Sequence, residues 1–325
     1  MINLKTFIMS KNIYKPATLI ILVFMVMLLP KEIKAQQEPG FTQYMNNPLT
    51  YNPAYAGTKD GISGVLQSRY QWVGFDGAPQ THLFSVHSPS PIYEDMVGIG
   101  FSYINDQIGP LSHDNFFMNF SYRTLIHDGG MLSLGLSAGV ESRGMKMSSL
   151  NPLDPGDPTY SIDDPSHTSL NFGFGAFYYT DEYYVGLSVP KLRNVVYNSD
   201  AGPAPHEQHE RHIYLTGGYI LEIDQEWTLR PSLMAKYVNG TPLSLDFNVT
   251  ALWQEMVAGG ISYRHGDAIG ALVQVKAYDY IWVGYAYDIG ISGLRDQNRG
   301  THEILLSFDL NLSGGSISEP RFRFY

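Results

Sequence analysis

Cysteine is absent from all 325 residues, which removes disulfides, thiol redox motifs, zinc–thiolate sites and a lipid-bearing lipobox residue together. Charge is sparse as well. Asp, Glu, Lys and Arg make up 16% of the chain, against about 25% in soluble domains. Basic residues are the scarcer sign, 21 against 31 acidic, for a formal net charge of −10. A surface of that sign disfavours nucleic acid, which rewards clustered Lys and Arg. Apolar runs of the ~18 residues that a membrane helix needs are also missing. The longest, residues 17–29, is broken only by Thr18 and is too short for a comfortable span.

That run has the layout of an export signal. Lys5, Lys11 and Lys15 precede it with no acidic residue among them, and Ala35 follows as a small residue before Gln36. Residues 1–35 are therefore expected to be a signal peptide cleaved near Ala35. Its removal takes away five Lys and one Glu, leaving a net charge of −14.

What the chain has in quantity is Tyr (23), Phe (16) and Gly (32). Many aromatics with few charges suit a sheet whose outer face meets lipid. The dominant pattern is apolar–polar alternation with period two in stretches of about ten residues. Leu243, Leu245, Phe247, Val249, Ala251 and Trp253 interleave with Ser244, Asp246, Asn248 and Thr250. Leu132, Leu134, Leu136, Ala138 and Val140 interleave with Ser133, Gly135, Ser137, Gly139 and Glu141, and Ile304, Leu306, Phe308 and Leu310 with Glu303, Ser307 and Asp309. The interleaved set is small, glycine-rich and polar, as a wet or plugged lumen requires and a shared sandwich core does not.

The expectation is an all-β fold, a transmembrane antiparallel β-barrel of about fourteen strands with a short plug-like N-terminal segment. Strands are expected near 62–72, 80–88, 96–104, 114–126, 131–142, 168–179, 183–190, 211–221, 226–238, 242–253, 256–264, 268–277, 280–289 and 301–312. The barrel domain then covers 61–325. Links after even strands are short, whereas the two longest, 143–167 and 191–210, follow odd strands, which puts them outside the cell and the N-terminus in the periplasm. Residues 36–60 form a separate element expected in or under the lumen. Residues 41–45 read as a short amphipathic turn, broken by Asn46-Asn47-Pro48 and again by Asn52-Pro53.

Catalytic and metal signals are weak. His206, His209 and His212 lack zincin spacing, and Asp154, Asp157, Asp163 and Asp164 lack that of an EF-hand. No Gly-x-Ser-x-Gly elbow marks a hydrolase. Arg69, Arg123, Arg230, Asp246, Arg264 and Lys276 fall on lumen positions, where they either line a channel or pair across it. Asn239-Gly240-Thr241 matches a glycosylation sequon but reads better as a hairpin turn. No cofactor, metal or enzymatic activity is expected.

Three stretches resemble the PorP/SprF family of outer-membrane proteins tied to type IX secretion and gliding in Bacteroidota. The first contains Phe41, Gln43, Tyr44, Asn47, Pro48, Asn52, Pro53, Ala54, Tyr55 and Gly57. The second contains Arg69, Gln71, Trp72, Gly74, Gly77, Pro79 and Thr81, and the third Asp106, Gly109 and Pro110. The resemblance implies a non-enzymatic component that supports export or surface attachment of a large adhesin-like protein bearing a type IX C-terminal domain. Its implied partners are that cargo, other secretion components and outer-membrane lipid. A passive porin or hydrophobic-solute channel is the competing expectation, since fourteen strands can enclose a lumen.

Overall fold

The computed structural model describes residues 38–90, 92, 96–126, 129–149, 166–197, 207–291 and 298–310. Fourteen antiparallel strands form the wall: β1 Ile62–Tyr70, β2 Gln80–Pro89, β3 Val97–Ile108, β4 Leu111–Leu125, β5 Met131–Met145, β6 Ser166–Tyr179, β7 Tyr183–Val189, β8 His212–Tyr219, β9 Trp227–Val238, β10 Ser244–Trp253, β11 Val257–Arg264, β12 Ala268–Tyr278, β13 Ile281–Gly290 and β14 Thr301–Leu310. Each strand pairs with its chain neighbours, and β1 pairs with β14 from Ile62↔Leu310 to Tyr70↔His302. The sheet is therefore closed, with no free edge.

Alternation sorts the side chains. On β4, Phe116, Met118, Phe120 and Tyr122 are exposed, whereas Asn115, Phe117, Asn119, Ser121 and Arg123 between them are buried. Leu134, Leu136, Phe172, Phe174, Val185 and Leu187 extend the exposed apolar surface to β5, β6 and β7. A soluble protein rarely leaves so much apolar surface uncovered; here it is the lipid face. Because the period is two, a one-residue slip would turn Arg123 and Asn119 into lipid, and this pins the register.

The boundaries differ from the sequence expectation in particular places. β1 ends at Tyr70, because Trp72 takes φ +51, which no strand continues through. β3 and β4 run on to Ile108 and start at Leu111, so Gly109-Pro110 alone turn between them, with Gly109 at φ +54. The link after β7 carries a short hairpin, Val195–Tyr197 paired with Glu207–His209, that alternation did not reveal. The Asn239-Gly240 link is a turn with Gly240 at φ +77. The signal segment 1–35, Asp154, Asp157, Asp163, Asp164 and His206 lie outside the described residues, as does the chain beyond Leu310.

The core of the molecule is the lumen filling. Residues 41–58 are buried apart from Asn46 and Thr50. They form three short 3-10 turns, Tyr44–Asn46, Pro48–Thr50 and Pro53–Tyr55. Pro48 and Pro53 open the second and third turns, where proline's missing N–H costs nothing. Asn52 caps the third, its side chain accepting from the Ala54 amide at 3.0 Å. Phe41, Tyr44, Met45 and Tyr51 pack against Leu83, Ile104, Tyr214, Met234 and Leu272 of the wall. Leu49, Ala54 and Tyr55 pack with Phe177, Tyr179 and Tyr184. The segment fills the lumen rather than sitting beneath it.

Candidate functional site: a plugged lumen and a loop platform

A chain of 3-10 turns leaves many backbone groups without partners of its own, and in a dry lumen each would cost about 1–3 kcal/mol. The wall supplies the partners. Ser188 donates to the Tyr51 carbonyl at 2.7 Å, Ser133 to Ala54 at 2.6 Å and Ser121 to Ala56 at 2.6 Å. Arg123 donates to the Gly57 carbonyl, while the Gly57 amide donates to His87 Nδ1 at 3.1 Å. Asn52 donates to the Ala176 carbonyl at 3.0 Å, and Ser85 to Asn47 Oδ1 at 2.8 Å.

Close approach is permitted by inward glycines. A Cβ on Gly98 would stand 2.1 Å from the Ala56 oxygen, and one on Gly135 2.1 Å from the Ala54 nitrogen. These contacts are with backbone, so no rotamer change relieves them.

Charge is concentrated at the other end of the plug. Glu303 is 1% exposed and takes four donors: the Thr42 and Gln43 amides at 2.9 Å each, Gln67 at 2.7 Å and Arg69 at 3.1 Å. Arg69 also reaches Asp288 at 3.1 Å and Thr42 Oγ1 at 3.0 Å, and Thr42 donates to Asp288 at 2.6 Å. One arginine thus faces two buried carboxylates, and the plug's amides and hydroxyl complete their coordination. Beside it, Arg264 pairs with Asp246 at 2.8 Å and Asp267 at 3.1 Å. Above it, Lys191 bridges Glu38 at 2.7 Å and Glu141 at 2.9 Å. Burial alone would lower Lys191, but the two carboxylates outweigh it and hold its pKa above the ordinary lysine value.

The residues singled out from sequence fall into three places. Phe41, Gln43, Tyr44, Asn47, Pro48, Asn52, Pro53, Ala54, Tyr55 and Gly57 are the buried plug itself. Arg69, Thr81 and Asp106 line the lumen wall, Thr81 donating to Asp106 at 2.6 Å. Gln71, Trp72, Gly74, Gly77 and Pro79 build the β1–β2 loop, with Gly109 and Pro110 as the turn beneath it. That loop is anchored on both sides. The Val73 amide donates to Gly300 at 2.9 Å, the Arg299 amide to Val73 at 2.9 Å, and the Gly109 amide to Gly77 at 3.0 Å. The second and third motifs therefore meet in space, as one loop platform at one end of the barrel.

Some plug partners were not apparent from the sequence. Asp288, His87, Ser121 and Ser188 act only through contacts distant in the chain. Glu303 gave one signal, a carboxylate on the lumen side of a strand. His212 is buried beside Tyr214 and hydrogen-bonds the Glu210 carbonyl at 2.9 Å. Among the described residues no group of three His, Asp or Glu is arranged to hold a metal.

A closed barrel, apolar outside and filled inside by its own N-terminal segment, defines an outer-membrane β-barrel protein. The family described as type IX secretion system membrane protein PorP/SprF matches residues 33–308. The chain belongs to that family and so to the outer-membrane components of type IX secretion. A search of curated proteins finds no match. Among solved structures, the chain is similar to a CymD monoaromatic hydrocarbon channel at 11% identity and TM-score 0.48, covering 82% of this chain and 91% of that one. It is also similar to a KdgM porin (7% identity, TM-score 0.36, 76% and 99%). A third is BamA from Haemophilus ducreyi lacking POTRA domains 1–3 (8%, 0.40, 77% and 70%). These likenesses are too distant to bear on function.

Proposed function

We propose that this protein is a closed docking barrel that supports export or surface attachment of a large adhesin-like protein bearing a type IX C-terminal domain. The observation that carries the reading is the lumen. Residues 41–58 are packed inside it and hydrogen-bonded to the wall along their length, in a chain of the type IX family. A passive porin would keep that space open, so the plug counts against the channel reading. The outer platform 71–79, together with the outer links 143–167 and 191–210, is the proposed cargo-facing surface, and the other secretion components are the proposed partners.

In this reading the chain divides into a signal peptide 1–35, a plug 36–60 and a barrel 61–325. The path of the plug supports cleavage near Ala35. Glu38 pairs with Lys191, just past the outer end of β7, whereas Lys59 pairs with Asp309 at 3.0 Å near the opposite end of β14. The segment thus runs from the outer mouth down to the periplasmic side. Three residue steps from Ala35 to Glu38 span at most about 11 Å, so an attached leader would be trapped at the outer mouth. On this reading the leader leaves before the plug seats.

Deleting the gene and comparing surface-exposed proteins by cell-surface proteolysis tests the proposal. One or more large proteins with a type IX C-terminal domain should vanish from the surface and accumulate inside. Unchanged display of every such protein overturns it.

A further inference from the structure

Along the outward faces of β1–β4, side chains change character toward the outer end. Leu66, Phe84, Tyr103 and Phe116 are followed two residues on by Ser68, His82, Asn105 and Asp114, whose side chains are hydrogen-bonded in neighbouring pairs, with the Tyr103 hydroxyl also donating to Asp114. Ser68 and His82 are 3.0 Å apart, and Asn105 donates to Asp114 at 2.8 Å. A polar exterior row of this kind marks the edge of the hydrocarbon layer. The next row, another ~7 Å along the strands, is Tyr70, Gln80, Gln107 and His302, neighbours across four paired strands. Over this row folds the loop 71–79, and between them lies a cavity of about 580 Å³.

The cavity therefore lies outside the barrel, at the level expected for the outer-leaflet headgroups. Its size is that of a small-molecule site. Its walls are preformed, because the loop is pinned to residues 299–300 and to Gly109. The lining combines aromatic surfaces from Tyr70, Phe75 and His302 with the planar amides of Gln71, Gln80 and Gln107. Phe75 is 51% exposed although nothing in a soluble loop requires an apolar side chain there. Amides both donate and accept, as vicinal hydroxyls need, and aromatic faces suit the C–H faces of a sugar ring. Among the described residues no Lys or Arg is in the lining, Arg299 standing against Gly74 from outside it, and the one lining carboxylate, Asp76, disfavours an anionic group.

We infer that this cavity binds the neutral saccharide of an outer-leaflet glycolipid, holding a lipid sugar against the family's β1–β2 loop. The proposal does not depend on the identity of the cargo. The probe is the dephosphorylated, delipidated oligosaccharide cleaved from lipopolysaccharide of the source bacterium, titrated into purified barrel in nanodiscs and read by saturation-transfer NMR and calorimetry. Saturable binding is expected, weakened at least tenfold by Phe75→Ala and by the pair Gln80→Ala and Gln107→Ala. All three positions are solvent-exposed, and the variants should keep the wild-type heat-modifiable migration. Absence of saturable binding overturns the proposal, as does affinity indifferent to those substitutions. A requirement for the phosphorylated form, or retention of a secreted protein by the platform with no sugar binding, overturns it equally.

Discussion

Glu303→Gln should loosen the plug without unfolding the barrel. Each Glu303 oxygen accepts one plug amide and one wall donor: Oε2 takes Thr42 and Arg69, and Oε1 takes Gln43 and Gln67. A glutamine keeps one acceptor and puts an NH2 where the other stood, so one plug amide and one wall donor lose their charge-assisted bonds, of which only the amide's joins plug to wall. Arg69 keeps Asp288 at 3.1 Å, so no buried cation is left unpaired. The loss is the worth of one bond to a charged group, about 1.5–3 kcal/mol, which raises the undocked fraction roughly 10- to 150-fold. Hydrogen exchange followed by mass spectrometry on the plug peptide in nanodiscs measures this directly. The amides of Thr42 and Gln43 should lose protection by that factor, while β4 and β5 amides stay as in the wild type. Unchanged protection at Thr42 and Gln43 would refute the assignment of Glu303 as the plug's anchor. Equal loss across the wall would show that it holds the barrel instead.

Other outcomes follow from the same geometry. Gly135→Val places side-chain atoms into the Ala54 backbone, 2.1 Å from its nitrogen. Overpacking of this kind costs about 1–3 kcal/mol and should expose the plug to proteases while the barrel keeps its heat-modifiable gel shift. Leu136→Lys puts a charge on the lipid face at a residue 63% exposed. It should cost roughly 2–4 kcal/mol if it lies near mid-bilayer, read by urea unfolding into lipid vesicles, with plug protection unaltered. Lys191, raised above its ordinary value by Glu38 and Glu141, contributes fully below the unfolded lysine pKa and loses its contribution as pH rises through the folded one. Protection near Glu38 should therefore be flat through neutral pH and fall only in strong alkali. Lys191→Met, which leaves two carboxylates buried without their cation, should remove about 3–5 kcal/mol at neutral pH.

Much of the wall was legible because the lipid–lumen division writes itself onto every second residue, and a strand such as Ser244–Trp253 carries that division unaided. The plug was legible as an interruption. Pro48 and Pro53 each start a turn, and the asparagines before them set the breaks. What the sequence concealed was the matching of plug to wall. Thr42 meets Asp288 and Glu303 across 246 and 261 positions, and no local pattern encodes such a pairing. Glycine had two readings along a strand, and only the structure separates Gly98 and Gly135, where plug backbone touches the wall, from Gly259, which faces open space. Trp72 misled for a local reason. Its aromatic ring favours strands, but the anchored loop holds it at φ +51, so β1 stops two residues earlier.

A barrel shut by its own N-terminal segment should not conduct ions. Purified protein reconstituted into a planar bilayer measures this most directly. The wild type should be silent, and Gly135→Val, whose wall can no longer accommodate the Ala54 backbone, should show step-like conductance. A steady open conductance from the wild type would contradict this closure and restore the channel reading.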